Sequence, residues 1–231
     1  MGDEDEMRNC ATEGPDMQET PKRPRGRPQL RSDEETMRLI LEAATRSFLA
    51  QGFGATSMEA VAQAAGVSKK TIYRFVDTKE KLLEAVIDAR SQALRSPIGQ
   101  DAGPDPAALK QALRQFLQEL TRLVLSEETV ALSRLIYAES LRFPAMAQAF
   151  YQAGPVRNAL ALAAWLETQR EHGILRVDDS LALAQMLVSM TIAEPLRAAT
   201  IGVAPLPTAA ENHHRIAEVV EVFLHGCLVP R

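Results

Sequence analysis

The side chains best suited to chemistry lie in the stretch SMEAVAQAAGVSKKTIYRF, residues 57–75. Two short runs of helical periodicity are separated by Gly66. The second opens on Ser68, a residue type that caps helices by accepting a backbone N–H. Two short helices joined by a glycine turn make a helix-turn-helix. Ala62, Ala64 and Ala65 are small enough for close helix approach, and Gly66 tolerates a positive φ at the turn. Val67 and Ile72 can anchor the second helix. That leaves Lys69, Lys70, Thr71, Tyr73 and Arg74 facing outward. Lysine and arginine reach guanine edges in the major groove, whereas hydroxyls and helix N-termini suit phosphates. Lys69, Lys70, Thr71 and Arg74 are therefore the candidate base readers, the three cations foremost. The competing reading is an ordinary helical hairpin with a solvated basic face.

A basic arm precedes this unit. Residues 22–31 carry Lys22, Arg23, Arg25, Arg27 and Arg31 with no acid, whereas residues 1–20 carry seven acids against Arg8. Arg25-Gly26-Arg27-Pro28 resembles the core of an AT-hook. Arginines on an extended segment can enter a narrow, A·T-rich minor groove, so Arg23, Arg25 and Arg27 are candidate DNA contacts. The acidic tail could compete with DNA for this arm.

These side chains need a scaffold, and the periodicity predicts one that is all-α. A helix is expected over residues 33–51, carrying Met37, Ile40, Leu41, Ala44 and Phe48 on one face and ended by Gly52 and Gly54. Short helices should follow over 57–65 and 68–75, with Thr56 and Ser57 as caps of the first, then a long helix over 79–94. Residues 96–106 read as a loop. Beyond it, helices are expected near 109–120, 127–142, 144–153, 155–172, 178–200 and 208–228, with Pro195 kinking its helix. The expected organisation is a tail and arm over 1–31, disordered when free, a DNA-binding domain over 32–94, and a helical ligand-binding and dimerisation domain over 95–231.

The residues from Ile40 to Leu83, ILEAATRSFLAQGFGATSMEAVAQAAGVSKKTIYRFVDTKEKLL, resemble the DNA-binding domain of the tetracycline-repressor (TetR) family. The resemblance rests on the helix ending at Gly52-Phe53, the Thr56-Ser57 opening, the Ala-Ala-Gly-Val-Ser turn, the Thr71/Tyr73/Phe75 helix and the Lys79-Glu80-Lys81-Leu82 run. It implies that Tyr73 and Lys79 bind backbone phosphates, joined by Thr56 or Ser57, while the Ser68 end of the second short helix suits phosphates as any helix N-terminus does. Lys70 departs from the pattern, because many relatives carry a small residue there. The stretch from Ala138 to Tyr151, with Gly154-Pro155, is similar to the regulatory domains of the AefR-like branch.

That second resemblance implies a small-molecule cavity, and the apolar bulk could line one. The candidate lining is Phe116, Leu120, Tyr137, Glu139, Phe143, Phe150, Tyr151, Trp165, Met186 and Met190. For any one of these residues taken singly, plain core is the commoner outcome, because apolar residues at helical spacing usually pack. Glu139, Arg142 and Glu194 are candidate polar partners. Ile216, Val219, Val220, Phe223 and Leu224 form a clean helical stripe, the candidate dimer interface together with the helix around Met186 and Met190. Two-fold pairing would set two recognition helices about 34 Å apart on double-stranded DNA.

The remaining features exclude more than they assert. Net charge is −4, yet its segregation makes the sum a poor guide to nucleic-acid binding. Hydrophobic residues make up 46% and aromatics 5%, a balance that favours helices. Cys10 and Cys227 have neither disulfide nor zinc spacing, and His213-His214 with His225 lack the pairing of a metal site, so no metal or cofactor is expected. No phosphate loop or nucleophile arrangement suggests an enzyme. With no signal peptide and no apolar run of membrane length, a cytoplasmic regulator released from a palindromic operator by a small apolar or amphipathic molecule is the expectation. A ligand-free architectural or nucleoid-associated DNA binder is the alternative.

Overall fold

A computed structural model describes residues 31–91 and 105–227. The arm residues Arg23, Arg25 and Arg27 and the acidic tail lie outside the described residues. From Asp33 onward the described residues form one compact helical unit.

Helix α1 (Asp33–Ala55) opens on Asp33, Glu34 and Glu35, acids that suit the positive end of a helix dipole. Ile40, Ala43, Ala44 and Phe48 recur at helical spacing and are buried. At Gly52 the backbone leaves the helix (φ 83°, ψ 164°), and a final turn drives Phe53 into the core. Helix α2 (Met58–Ala64) is capped by Ser57, whose hydroxyl accepts from the Ala60 N–H at 3.1 Å. Ala62 and Ala65 are buried where α2 meets its neighbours, while Ala64 faces solvent, so the close approach rests on two of the three alanines. Gly66 takes φ 67° at the turn. Helix α3 (Lys69–Phe75) is capped by Ser68 through the Thr71 N–H and pinned by the fully buried Ile72. Helix α4 (Lys79–Ser91) follows.

Helix α5 (Pro106–Val124) starts with an Asp105 cap and a proline in its first turn, where no N–H is missed. Helix α6 (Glu127–Glu139) is capped by Ser126 and ends earlier than the expected Arg142. Pro144 then opens α7 (Pro144–Tyr151), and a π-helical turn, Gln152–Val156, leads into α8 (Arg157–Glu171). Pro155 sits in that turn, where its missing N–H fits the loosened hydrogen-bond register. Helix α9 (Ser180–Ile201) continues past Pro195 as one element to a Gly202 cap at φ 78°, and α10 (Ala209–Cys227) closes the described chain.

Two apolar clusters hold these helices. One joins α1–α4 to Ile136 of α6, Met146 of α7 and Ala153. The other joins α5, α8, α9 and α10. The second corrects an expectation. Ile216, Val220, Phe223 and Leu224 of α10 are buried in it, with Val219 packed alongside. The stripe is covered by the chain's own α5 and α9, so these five residues are not a free face for a second copy.

Candidate nucleic-acid interface and cavity

The outward side of α3 presents Lys69, Lys70, Tyr73 and Arg74, all exposed, with Thr71 half-buried at its start. Lys69 pairs with Glu59 of α2 at 2.5 Å, and its ammonium lies 5.8 Å from the Tyr73 ring. The hydrogen bond from Lys69 holds the Glu59 carboxyl below its usual range and lifts the lysine above its own. Arg74 pairs with Asp33 at 2.7 Å and covers the Phe75 ring. Lys70 has no partner among the described residues. Exposed pairs of this kind contribute little and exchange readily, so all three cations are free to turn to an anionic partner. Ser57, Ser68 and Thr71 hydroxyls serve the two caps, with Ser68 and Thr71 2.8 Å apart. These caps leave the N-terminus of α3 at the surface beside Lys69 and Lys70.

Two phosphate contacts implied by the resemblance have other work in the structure. Thr56 is buried, and its hydroxyl donates to the carbonyls of Gly52 (2.8 Å) and Ser47 (3.2 Å). Lys79 turns inward. Its ammonium donates to the carbonyls of Phe53 (2.6 Å), Thr56 (2.8 Å) and Gly54 (3.3 Å), and sits 4.5 Å from the Phe53 ring centre. It satisfies carbonyls at the end of α1 that no helix continues to bond. Lys79 is thus a cap for α1, not a free surface cation.

The opposite charge arrives from α6. Glu139 accepts from the Phe53 N–H and the Gly54 N–H, each at 3.0 Å, through its two oxygens. Both glycines make room for this clamp. A Cβ at Gly52 would lie 2.6 Å from the Glu139 carboxylate, and one at Gly54 would lie 2.9 Å from the Phe143 ring. Phe143 packs edge-on against Phe53 with ring centres 5.5 Å apart. Further up the same helix, Arg134 donates to the carbonyls of Ala199 (2.5 Å) and Thr200 (2.7 Å) at the end of α9. Helix α6 is therefore fastened at one end to the helix-turn-helix support and along its length to α9.

The inner side of α6 walls a cavity of about 440 Å³. Thr129, Leu132, Ser133 and Tyr137 line it from α6, Ile87 and Arg90 from α4, Leu120, Leu123 and Val124 from α5, and Gly154, Pro155 and Val156 from the π turn. Helices α8 and α9 close it with Asn158, Ala159, Val188 and Ile192. Arg90 is paired with Glu128 at 2.5 Å and donates to Ser126 (3.1 Å) and Thr129 (3.0 Å).

Of the lining expected from sequence, Leu120, Tyr137, Phe150 and Tyr151 are brought together around this cavity. The others are placed elsewhere. Phe116 and Trp165 are packed in the α5–α8–α9–α10 core, because their positions on those helices face inward to neighbouring side chains. Glu139 and Phe143 are taken by the end of α1. Met186 and Met190 point away from the cavity and are exposed on α9. Arg90, Thr129, Ser133 and Asn158 escaped sequence reasoning. A signal was present in part: Thr129, Ser133 and Tyr137 recur every four residues, a polar-edged stripe on a helix otherwise facing core. Among the described residues no cluster of His, Cys, Asp or Glu could hold a metal, and no helix is long and apolar enough to cross a membrane.

Comparison with known proteins bears on both halves. Residues 40–86 match the family described as bacterial regulatory proteins, tetR family, and residues 111–226 match the AefR-like transcriptional repressor C-terminal domain. The flavonoid-responsive regulator FrrA is 33% identical, with 86% of this chain and all of FrrA covered at a TM-score of 0.68. A protein of Mesorhizobium loti MAFF303099, described as a TetR-family transcriptional regulator, is 27% identical over 85% of this chain and 98% of its own, with a TM-score of 0.69. Among curated sequences, the HTH-type regulator YhgD of Bacillus subtilis is 51% identical over 49 residues, 21% of this chain. The match spans 26% of YhgD and 54% of its B. subtilis counterpart YdeS, so the chain spans about half or less of these curated relatives.

Proposed function

This chain belongs to the TetR family of bacterial regulators, and from that premise we propose that it is a ligand-responsive repressor. It binds a palindromic operator in double-stranded DNA as a homodimer, and leaves it when a small, mostly apolar molecule occupies the cavity. The observation that carries this reading is the double duty of α6. One side of the helix walls the cavity through Ser133 and Tyr137, and its end holds the Phe53 and Gly54 amides that support the helix-turn-helix. A ligand that favours one position of α6 over another biases the DNA-binding heads by its difference in affinity for the two states.

Lys69, Lys70 and Arg74 read base edges in this account, and Tyr73 with the Ser68 end of α3 meets phosphates. Repression is favoured by the AefR-like match in the C-terminal half. FrrA, described as flavonoid-responsive, makes planar polyphenols the first ligands to try. The dimer face is assigned to α8 and α9, where Leu160, Met186, Met190 and Ile201 leave apolar surface exposed. Arginine at Met190 should then shift the protein towards monomer in sedimentation. A dimer unaffected by it would move the interface elsewhere.

The deciding experiment selects binding sites from a random DNA library and competes the winner against scrambled DNA at about 150 mM salt, where nonspecific contacts weaken. A palindromic winner, released by a cavity ligand, is the expected result. No enriched site, with binding that fades as salt rises, would favour the architectural DNA binder instead.

A further inference from the structure

Among the described residues the cavity wall contains one buried polar side chain without a hydrogen-bond partner. Asn158, in the first turn of α8, is only 8% exposed and lines the cavity. Among the described residues no hydrogen-bond partner serves its carboxamide. Such a group offers two donors and a carbonyl acceptor, and leaving them unpaired in an apolar wall is costly. The other buried or half-buried polar groups there are engaged. The Ser133 hydroxyl donates to the Thr129 carbonyl at 2.9 Å. The Thr129 hydroxyl donates to the Leu123 carbonyl at 2.8 Å. The Arg90 guanidinium is neutralised by Glu128 and held by Ser126 and Thr129. Tyr137 and Tyr151 are more than half exposed, so water serves their hydroxyls.

Resting on the reading of this cavity as the effector site, we infer that Asn158 is its specificity anchor and that the effector is a neutral, largely apolar molecule bearing a hydroxyl or carbonyl that pairs with the Asn158 carboxamide. Three features of the wall set that class. Apolar side chains from α4, α5 and α9 favour a hydrophobic body. Asn158 is the buried carboxamide of the wall, whereas Gln185 and Ser189 of α9 line it from exposed positions, and one buried carboxamide favours one buried hydrogen-bonding group. The absence of an uncompensated charge on Arg90 leaves nothing to repay desolvation of an ion. A site built to pair a ligand's polar group discriminates against the analogue lacking it, because the site's own group is then left unbonded.

The test uses three probes of one shape: 2-naphthol, naphthalene and 2-naphthoate, titrated calorimetrically into the full-length protein and its N158L variant. The wild type should prefer 2-naphthol to naphthalene by about tenfold, the order of one buried hydrogen bond, and bind 2-naphthoate most weakly. In N158L the preference for naphthol should vanish while naphthalene binds at least as well. The ligand-free N158L protein should melt no lower than wild type, because the substitution removes an unpaired polar group. A lower melting temperature would mark Asn158 as structural and overturn the inference, as would an undiminished naphthol preference in N158L. Tightest binding by 2-naphthoate, or binding of no probe, would also overturn it. N158A, which only removes atoms, repeats the comparison if N158L does not fold. Operator binding is measured on the same samples. Specific DNA binding without probe discrimination sinks the Asn158 assignment alone, whereas no specific DNA binding sinks the repressor reading.

Discussion

The outer face of α3 and the joint at the end of α1 use the same residue types for opposite ends. On α3, Lys69 and Arg74 are held by single exposed ion pairs with Glu59 and Asp33. At the joint, Lys79 is half-buried against two aromatic rings and bonded to carbonyls, while Glu139 bonds two amides. The difference lies in solvation. Exposed pairs are screened and easily exchanged, which suits a face that, under the proposed function, would trade these partners for DNA. Charge-assisted bonds partly shielded from water are stronger and directional, which suits a joint that, under the proposed function, would carry movement from α6 to the heads.

The largest expected effect breaks the exchanging face. Replacing Lys69, Lys70 and Arg74 together by alanine should weaken operator binding at least about a hundredfold, since each good base contact is worth about 1–3 kcal/mol. Thermal stability should hardly move. A fluorescence-anisotropy titration beside a melting curve checks both, and a large drop in melting temperature would mean these cations are structural.

The joint should respond in the opposite way. Lys79→Met keeps the apolar stem but strands the carbonyls of Phe53 and Thr56, at a cost of about 2 kcal/mol, read by denaturant unfolding. In the fully folded fraction the operator affinity should stay within a few-fold. A selective loss of DNA binding with stability unchanged would restore Lys79 to the phosphate-contacting set. Gly52→Ala should cost a similar amount, about 2 kcal/mol, from its positive φ and its collision with Glu139. An Ala variant as stable as wild type would show that the clamp relaxes freely.

A milder change sharpens the comparison from the joint's side. Glu139→Gln keeps the shape and one acceptor oxygen but removes the charge. Stability should fall by about 1 kcal/mol, and the ligand concentration needed to release DNA should change more than DNA affinity itself. Equal shifts in both would argue that α6 acts only as packing.

The smallest effect frees a cation on the exchanging face. Glu59→Gln should tighten DNA binding about threefold at low salt, with the gain fading at high salt. The Lys69 hydrogen bond holds the Glu59 carboxyl low, so the wild-type residue stays ionised as pH falls from 8 to 5. The difference between wild type and variant should therefore be flat across that range. A gain already gone by pH 5 would show that Glu59 titrates above the ordinary carboxylate range and that the pair is not maintained.

Legibility in the sequence followed the range of the interactions. The Ser57 and Ser68 caps, the Gly66 turn and the buried Ile72 are set by residues a few positions apart, so the helix-turn-helix could be read directly. The α10 stripe was legible as an amphipathic face, but periodicity says only that a face will be covered. Whether α5 of the same chain or a second copy covers it is a matter of distant packing. The same limit applied to the cavity. Tyr137 and Tyr151 were recognised as apolar bulk at helical spacing, yet Phe116 and Trp165 carry the same signal and are core.

The all-helical class, the helix-turn-helix and the outward cations of α3 could be read from the residues in order, because these depend on local periodicity and capping. Tertiary structure alone decided that Lys79 and Thr56 serve the backbone, that Glu139 clamps α1 from 85 residues away along the chain, and that Asn158 faces a cavity without a partner. Those outcomes depend on which surfaces meet, and the meeting of surfaces is set by the summed packing of all the helices rather than by any short run of residues.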